Sequence, residues 1–219
     1  MRAESSFTKR SKMEMSDDLK AAAKKLFDEG KIDLLVGYEK GTLPLRTTPC
    51  FITNAEETDR LVWDGFCSNN LAVYLPRLFL NEGRPKDWQP PRVAVVAKGC
   101  DGRSLVGLVK EKQVPRENLI ILGVPCRGIV DLKKVRAALN GREPVGGEIA
   151  DDGTLTVQID GGEDVQLDRD EVLFDSCKDC SYQEPPVCDI RVGPESSEKQ
   201  GKADFREVTD FEAKSPQER

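Results

Sequence analysis

The chain has 219 residues, with 33 lysines and arginines against 39 aspartates and glutamates, and carries a net charge of −6. That length allows one good core with a small appendage, and the acidic balance argues against nucleic acid or an anionic membrane as the main partner. Seven cysteines occur with no histidine, which excludes Ser-His and Cys-His catalysis, an imidazole base and any mixed Cys/His metal site.

Residues 1–15 are polar and read as a flexible N-terminus without the apolar segment of a secretory signal, so a cytoplasmic location is expected. Ser16-Asp17-Asp18 then offers an N-cap and two acids for a first helical turn. Leu19, Ala22, Ala23, Leu26 and Phe27 follow at helical spacing, and Gly30 stands where a C-terminal cap belongs. A short apolar strand is expected over 32–36, then extended structure to Ile52 punctuated by Pro44 and Pro49. A second helix should start at Asn69 or Asn70 and carry Leu71, Ala72, Leu75 and Leu78, kinked by Pro76. Residues 81–91 are a loop by composition.

The centre is the clearest part. Val93-Ala-Val-Val-Ala97 is a continuous apolar strand, and a turn over Gly99-Cys-Asp-Gly102 leads to a helix at 104–112. Pro115 ends that helix, and Leu119-Ile-Ile-Leu-Gly-Val124 is the next strand. Strand, helix and strand at this length make a βαβ unit with parallel strands. A further helix is expected over 131–139, stopped by Asn140-Gly141. Residues 145–172 change to short alternating strands, with Asp151-Asp-Gly153 as a turn, and read as an antiparallel insert. The fold class is therefore α/β: a central mixed sheet containing a βαβ unit, with helices and a small antiparallel β insert. Residues 16–193 form the domain, and 194–219, poor in large apolar side chains, read as a linker or disordered tail.

With no export route expected, the cysteines suggest thiolate chemistry in a reducing compartment rather than disulfides. Cys100 and Cys126 lie just past the carboxyl ends of the two central strands, where ligands gather in open parallel sheets. Neighbouring strands are ~4.8 Å apart, so both sulfurs can approach one centre. Cys177-Lys-Asp-Cys180 supplies two more sulfurs at a chelating spacing. Thioredoxin chemistry places such a motif at the start of a helix, and the following Ser181-Tyr-Gln-Glu-Pro-Pro186 is a poor helix sequence. Metal site residues are thus expected at Cys100, Cys126, Cys177 and Cys180, holding an iron–sulfur cluster, with structural zinc as the rival. Zinc ribbons use two Cys-x-x-Cys knuckles, and this chain has one. Cys50 is expected in the core. Cys67, at a helix start where its pKa could fall, is read first as packing, and Cys188 is near enough to Cys-x-x-Cys to compete as a ligand.

Ala97-Lys-Gly-Cys-Asp-Gly-Arg-Ser104, Ile121-Leu-Gly-Val-Pro-Cys-Arg-Gly128, and Cys177-Lys-Asp-Cys180 running to Cys188-Asp-Ile-Arg-Val-Gly193 resemble the beta-subunit family of coenzyme F-420 hydrogenases and dehydrogenases, as does Ser68-Asn-Asn70. The resemblance covers roughly residues 20–195. It implies one 4Fe-4S cluster on Cys100, Cys126, Cys177 and Cys180, and partners that are other redox subunits of flavin or ferredoxin type in an anaerobic oxidoreductase complex. It also allows FAD and reduction of a deazaflavin. Flavin-binding members have a glycine-bearing helix start near the N-terminus, whereas Ser16-Asp-Asp-Leu-Lys-Ala-Ala-Ala-Lys25 has no glycine and two acids that would repel a diphosphate. Stoichiometric FAD is therefore not expected. The tail resembles the linker that precedes a ferredoxin-like module in longer relatives. The expected function is a one-electron relay through one 4Fe-4S cluster, non-catalytic alone. The rival readings are an FAD-containing oxidoreductase and a zinc-stabilised scaffold.

Overall fold

A computed structural model describes residues 12–150, 152–193 and 206–218. The chain is α/β, with two sheets that each have their own core. The larger is a five-stranded sheet in the order β2-β1-β3-β4-β8. Its strands are β1 (Leu34–Lys40), β2 (Thr47–Ile52), β3 (Val93–Ala97), β4 (Leu119–Gly123) and β8 (Ile190–Arg191). β1, β3, β4 and β8 run parallel, and β2 is an antiparallel edge on β1. All five residues of β3 are buried, as befits a central parallel strand covered on both faces. Pro49 sits in β2, at the sheet edge where a missing N–H is tolerated.

Helix α1 (Lys12–Asp28) buries Met15, Leu19, Ala23 and Leu26 in the main core. It stops as the sequence suggests. Gly30 has φ +61°, Gly30 N–H donates to Phe27 O at 2.9 Å, and Lys31 N–H donates to Leu26 O at 2.9 Å, a Schellman closure. Its start differs from expectation. Residues 12–15 are already helical, so Ser16-Asp17-Asp18 lies inside the helix rather than capping it. Residues 1–11 lie outside the described region.

The helix expected after Asn70 is split. A 3-10 turn at Leu71–Tyr74, capped by Asn70 Oδ1 accepting from Ala72 N–H at 3.0 Å, precedes α2 (Leu75–Phe79). Pro76 occupies the first turn of α2, where its missing N–H costs nothing, so it starts a helix rather than kinking one. Helix α3 (Gly99–Lys110) begins five residues earlier than the sequence suggests, taking in the whole Gly-Cys-Asp-Gly stretch. Helix α4 (Leu132–Leu139) has its expected cap, Asp131 accepting from Lys133 N–H at 2.8 Å, and its expected stop, Asn140 at φ 51°.

The insert is an antiparallel sheet of β5 (Pro144–Ile149), β6 (Thr154–Ile159) and β7 (Val165–Asp168). Leu155, Val157 and Ile159 alternate inward along β6 and pack with Val135 and Leu139 of α4 in the second core. Short helix α5 (Asp175–Lys178) follows. In the expected linker or disordered tail, Arg206–Glu212 is helical (α6), while 194–205 lie outside the described residues. Among the described residues, no helix is long and apolar enough to cross a membrane.

Candidate metal centre

β3 and β4 pair in parallel with Ala97 opposite Gly123. Cys100 and Cys126 each stand three residues beyond those paired ends. Equivalent offsets from a parallel pair put both residues at one edge of the sheet, where the sequence places them.

What brings the Cys-x-x-Cys segment to that edge is a set of close approaches. β8 pairs with β4, and Val192 N–H donates to Gly123 O at 2.8 Å. Asp189 anchors the run into β8, its Oδ2 accepting from Ile121 N–H at 2.8 Å and its Oδ1 pairing with Arg116 at 2.5 Å. Residues 182–186 then lie against the first turn of α3. A Cβ at Gly99 would collide with the Tyr182 carbonyl, and one at Gly102 would meet Pro185 Cβ at 2.5 Å. The guanidinium of Arg103 covers the Tyr182 ring at 4.7 Å, and Cys126 N–H donates to Gln183 O at 2.8 Å. Cys180 Sγ donates to that same Tyr182 carbonyl at 3.5 Å. On the other side, a Cβ at Gly128 would stand 3.3 Å from Cys177 Cβ. Cys177 is in the single turn of α5, and Cys180 follows its end, so the pair does not open a helix in the thioredoxin manner.

The two strand-end thiols are held protonated. Burial pushes the Cys126 thiol up to about 12; Cys177 and Cys100 add to this, while the Gly128 N–H and Lys98 oppose it. Desolvation also raises Cys100, with Asp101 and Cys180 adding and Lys98 and the Asp101 N–H opposing. Among the described residues, no three Cys, Asp or Glu side chains are set to hold a single metal ion. Cys100 is exposed and Cys126, Cys177 and Cys180 are half-buried, and as four thiols near one sheet edge they match the all-cysteine donor set of an iron–sulfur cluster.

Two cations reach this edge, and sequence reasoning assigned neither a role. Lys98 is 3% exposed, and its Nζ donates to Tyr38 OH at 2.7 Å, Asn69 O at 2.6 Å and Asp101 Oδ2 at 3.0 Å. Asp101 Oδ2 also accepts from Lys98 N–H at 3.2 Å, tying the pair to the first turn of α3. Burial raises the Asp101 carboxyl, and Lys98 opposes it. The readable signal was a lysine between an all-apolar strand and a helix, where a surface charge has no place. Arg169, which follows β7, is the second cation and is 9% exposed.

The other cysteines separate. Cys50 is buried in the main core, as expected. Cys67 is fully buried there too, but burial and the neighbouring Asp64 raise its thiol well above the ordinary value. The lowered pKa considered for a helix start does not arise, because Cys67 precedes the Asn70 cap inside packed side chains. Cys188 is exposed, and its Sγ would lie 3.2 Å from a Cβ at Gly123, close to the end of β4.

No family model matches the chain. Two curated relatives are the F420-dependent formate dehydrogenase 1 subunit beta of Methanococcus maripaludis and the F420-dependent formate dehydrogenase subunit beta of Methanocaldococcus jannaschii. The first is 26% identical over 201 residues, covering 86% of this chain and 50% of the relative. The second is 23% identical over 192 residues, covering 82% and 48%. The chain therefore spans about half the length of these relatives. A chain of the xenon-derivatised F420-reducing NiFe hydrogenase complex from Methanosarcina barkeri shares the fold, with a TM-score of 0.56 and 16% identity over 80% of this chain and 64% of that one. These findings agree with the resemblance of the quoted residues to beta subunits of coenzyme F-420 hydrogenases and dehydrogenases.

Proposed function

We propose that the chain is an electron-transfer unit of a multi-subunit oxidoreductase, holding one 4Fe-4S cluster on Cys100, Cys126, Cys177 and Cys180. The observation that carries this reading is the equivalent placement of Cys100 and Cys126 beyond a paired parallel strand end, with the Cys-x-x-Cys segment docked over the same edge. When bound, such a cluster supplies one-electron redox chemistry. The chain's own residues bind and tune. The backbone N–H groups of Asp101 and Gly128 favour the thiolate forms of Cys100 and Cys126, against their desolvation. Lys98 and Arg169 add positive charge in a poorly solvated setting, where each charge counts for more than in water. Trp63, 7% exposed, donates from Nε1 to Pro125 O at 3.2 Å and shields the Cys126 turn from solvent.

The partner in this reading is another redox subunit, flavin- or ferredoxin-bearing, which couples single electrons to a two-electron substrate. Stoichiometric FAD is not expected in the isolated chain. Residues 16–18 sit within α1, so their amides are committed to the helix and give a diphosphate no free N–H groups.

Anaerobic production followed by iron, sulfide, zinc and flavin assays tests the reading. About four irons and four sulfides per chain, with a broad absorption band near the violet end, is the expected result. One zinc and no visible absorption would favour a structural scaffold. One FAD per chain with hydride transfer would favour a flavoenzyme.

A further inference from the structure

Arg169 is a buried cation paired mainly with carbonyls. Its Nη2 donates to Arg127 O and, at 3.2 Å, to Gly128 O. The carboxylate nearest in sequence, Asp170, lies 4.0 Å from Nη1 and is 81% exposed, a weak partner for a side chain that is itself 11% exposed. Burial lowers the guanidinium from its ordinary value, and Asp170, Cys126 and Cys177 oppose that loss. A guanidinium keeps its proton in proteins, so the charge is fixed.

The carbonyl of Arg127 and the N–H of Gly128 belong to one peptide unit. In a trans peptide the two point in opposite directions. Arg169 holds the oxygen end, and the hydrogen end points away from it, two residues past Cys126. A cation on the carbonyl polarises the peptide and makes the N–H at its other end a stronger donor. Gly128, at φ +95°, lets the turn take this conformation with Leu173 and Cys177 packed against it. Arg169 itself is anchored to the insert sheet through its N–H, which donates to Gly153 O at 3.1 Å.

We infer that Arg169 is a positioning residue through which the antiparallel insert sets the reduction potential of the metal centre, by fixing and polarising the Arg127–Gly128 peptide that follows Cys126. This rests on the cluster reading above. Adding an electron makes a thiolate-ligated cluster more negative, so a fixed cation beside the Cys126 turn favours the reduced form and raises the potential.

The test is a redox titration of anaerobically loaded full chain, followed by absorption and electron paramagnetic resonance, for wild type, Arg169→Gln and Arg169→Lys. At a fixed poise the reduced-to-oxidised ratio should fall about tenfold in Arg169→Gln, about 59 mV for one electron. Arg169→Lys should fall between, since it keeps the charge and loses the fork to two carbonyls. A loaded Arg169→Gln with the wild-type potential overturns the inference. If Arg169→Gln does not load, Arg169→Lys is read in its place: a lowered potential supports the inference and a wild-type potential overturns it. Iron absent from both variants, with wild-type circular dichroism and melting, makes Arg169 an assembly residue and also overturns it. Wild type without iron would instead sink the cluster reading itself, so the two failures are distinguishable.

Discussion

Lys98 and Asp101 form an ion pair at 3.0 Å with side chains 4% and 0% exposed, and a pair so buried is most costly when halved. Asp101→Ala should lose about 3–5 kcal/mol of stability in denaturant unfolding, because it leaves the ammonium without its carboxylate. A loss below about 1 kcal/mol would mean that the pair behaves as a surface one. The sequence shows both residues three apart but cannot show burial, and that is why this pair was not legible while the position of Cys100 at the end of β3 was. The core thiols make a second residue-scale prediction. Burial, with Glu39 adding, raises Cys50 from 9.0 to about 11. The folded chain thus keeps a proton that the unfolded chain releases. This contribution to stability is complete below pH 9.0 and is lost as pH rises toward 11. Cys50→Ala should flatten that alkaline decline in melting temperature. Cys50→Ala and Cys67→Ala should also leave iron content unchanged while costing on the order of 1–2 kcal/mol for lost packing. An iron-free Cys67→Ala would bring that residue into the site.

At the scale of elements, the glycines of α3 have different jobs. Gly99 and Gly102 admit residues 182–186 to the helix surface, while a Cβ at Gly107 meets nothing within 4 Å. Gly107→Ala should therefore stabilise the chain by roughly 0.5–1 kcal/mol through helix propensity. Gly102→Ala should instead cost about 1–3 kcal/mol as the Pro185 contact is forced apart, and should lower iron content by displacing Cys180. Equal effects at both positions in thermal melts and iron assays would contradict the docking role. The same glycines explain a misplaced boundary. Gly-Cys-Asp-Gly has the composition of a turn, and only the segment packed over it shows why a helix there is glycine-rich. The start of α1 was misread for a related reason: Ser16 resembles a cap, yet its Oγ accepts from Trp63 N–H at 3.1 Å, a contact between residues 47 apart. Strands β3 and β4, by contrast, were legible almost to the residue, because continuous apolar runs of this length fit buried parallel strands.

For the whole molecule, one core surrounds the parallel sheet and a second is built from α4 and the insert, while Arg169, just after β7, reaches the carbonyls of the turn after Cys126. The parallel pairing of β3 and β4 made two of the four candidate ligands readable from spacing alone. The placement of the other two depends on β8 returning beside β4, a pairing of only two residues with no sequence signature of its own. The cluster reading stands or falls on whether the four thiols act together. Iron and sulfide content of anaerobically reconstituted Cys100→Ser, Cys126→Ser, Cys177→Ser and Cys180→Ser, measured beside Cys50→Ala, tests that most directly. Each serine variant should fall well below the roughly four irons of the parent, with Cys50→Ala unchanged. Full iron content in Cys100→Ser or Cys126→Ser would contradict the assignment of the strand-end cysteines.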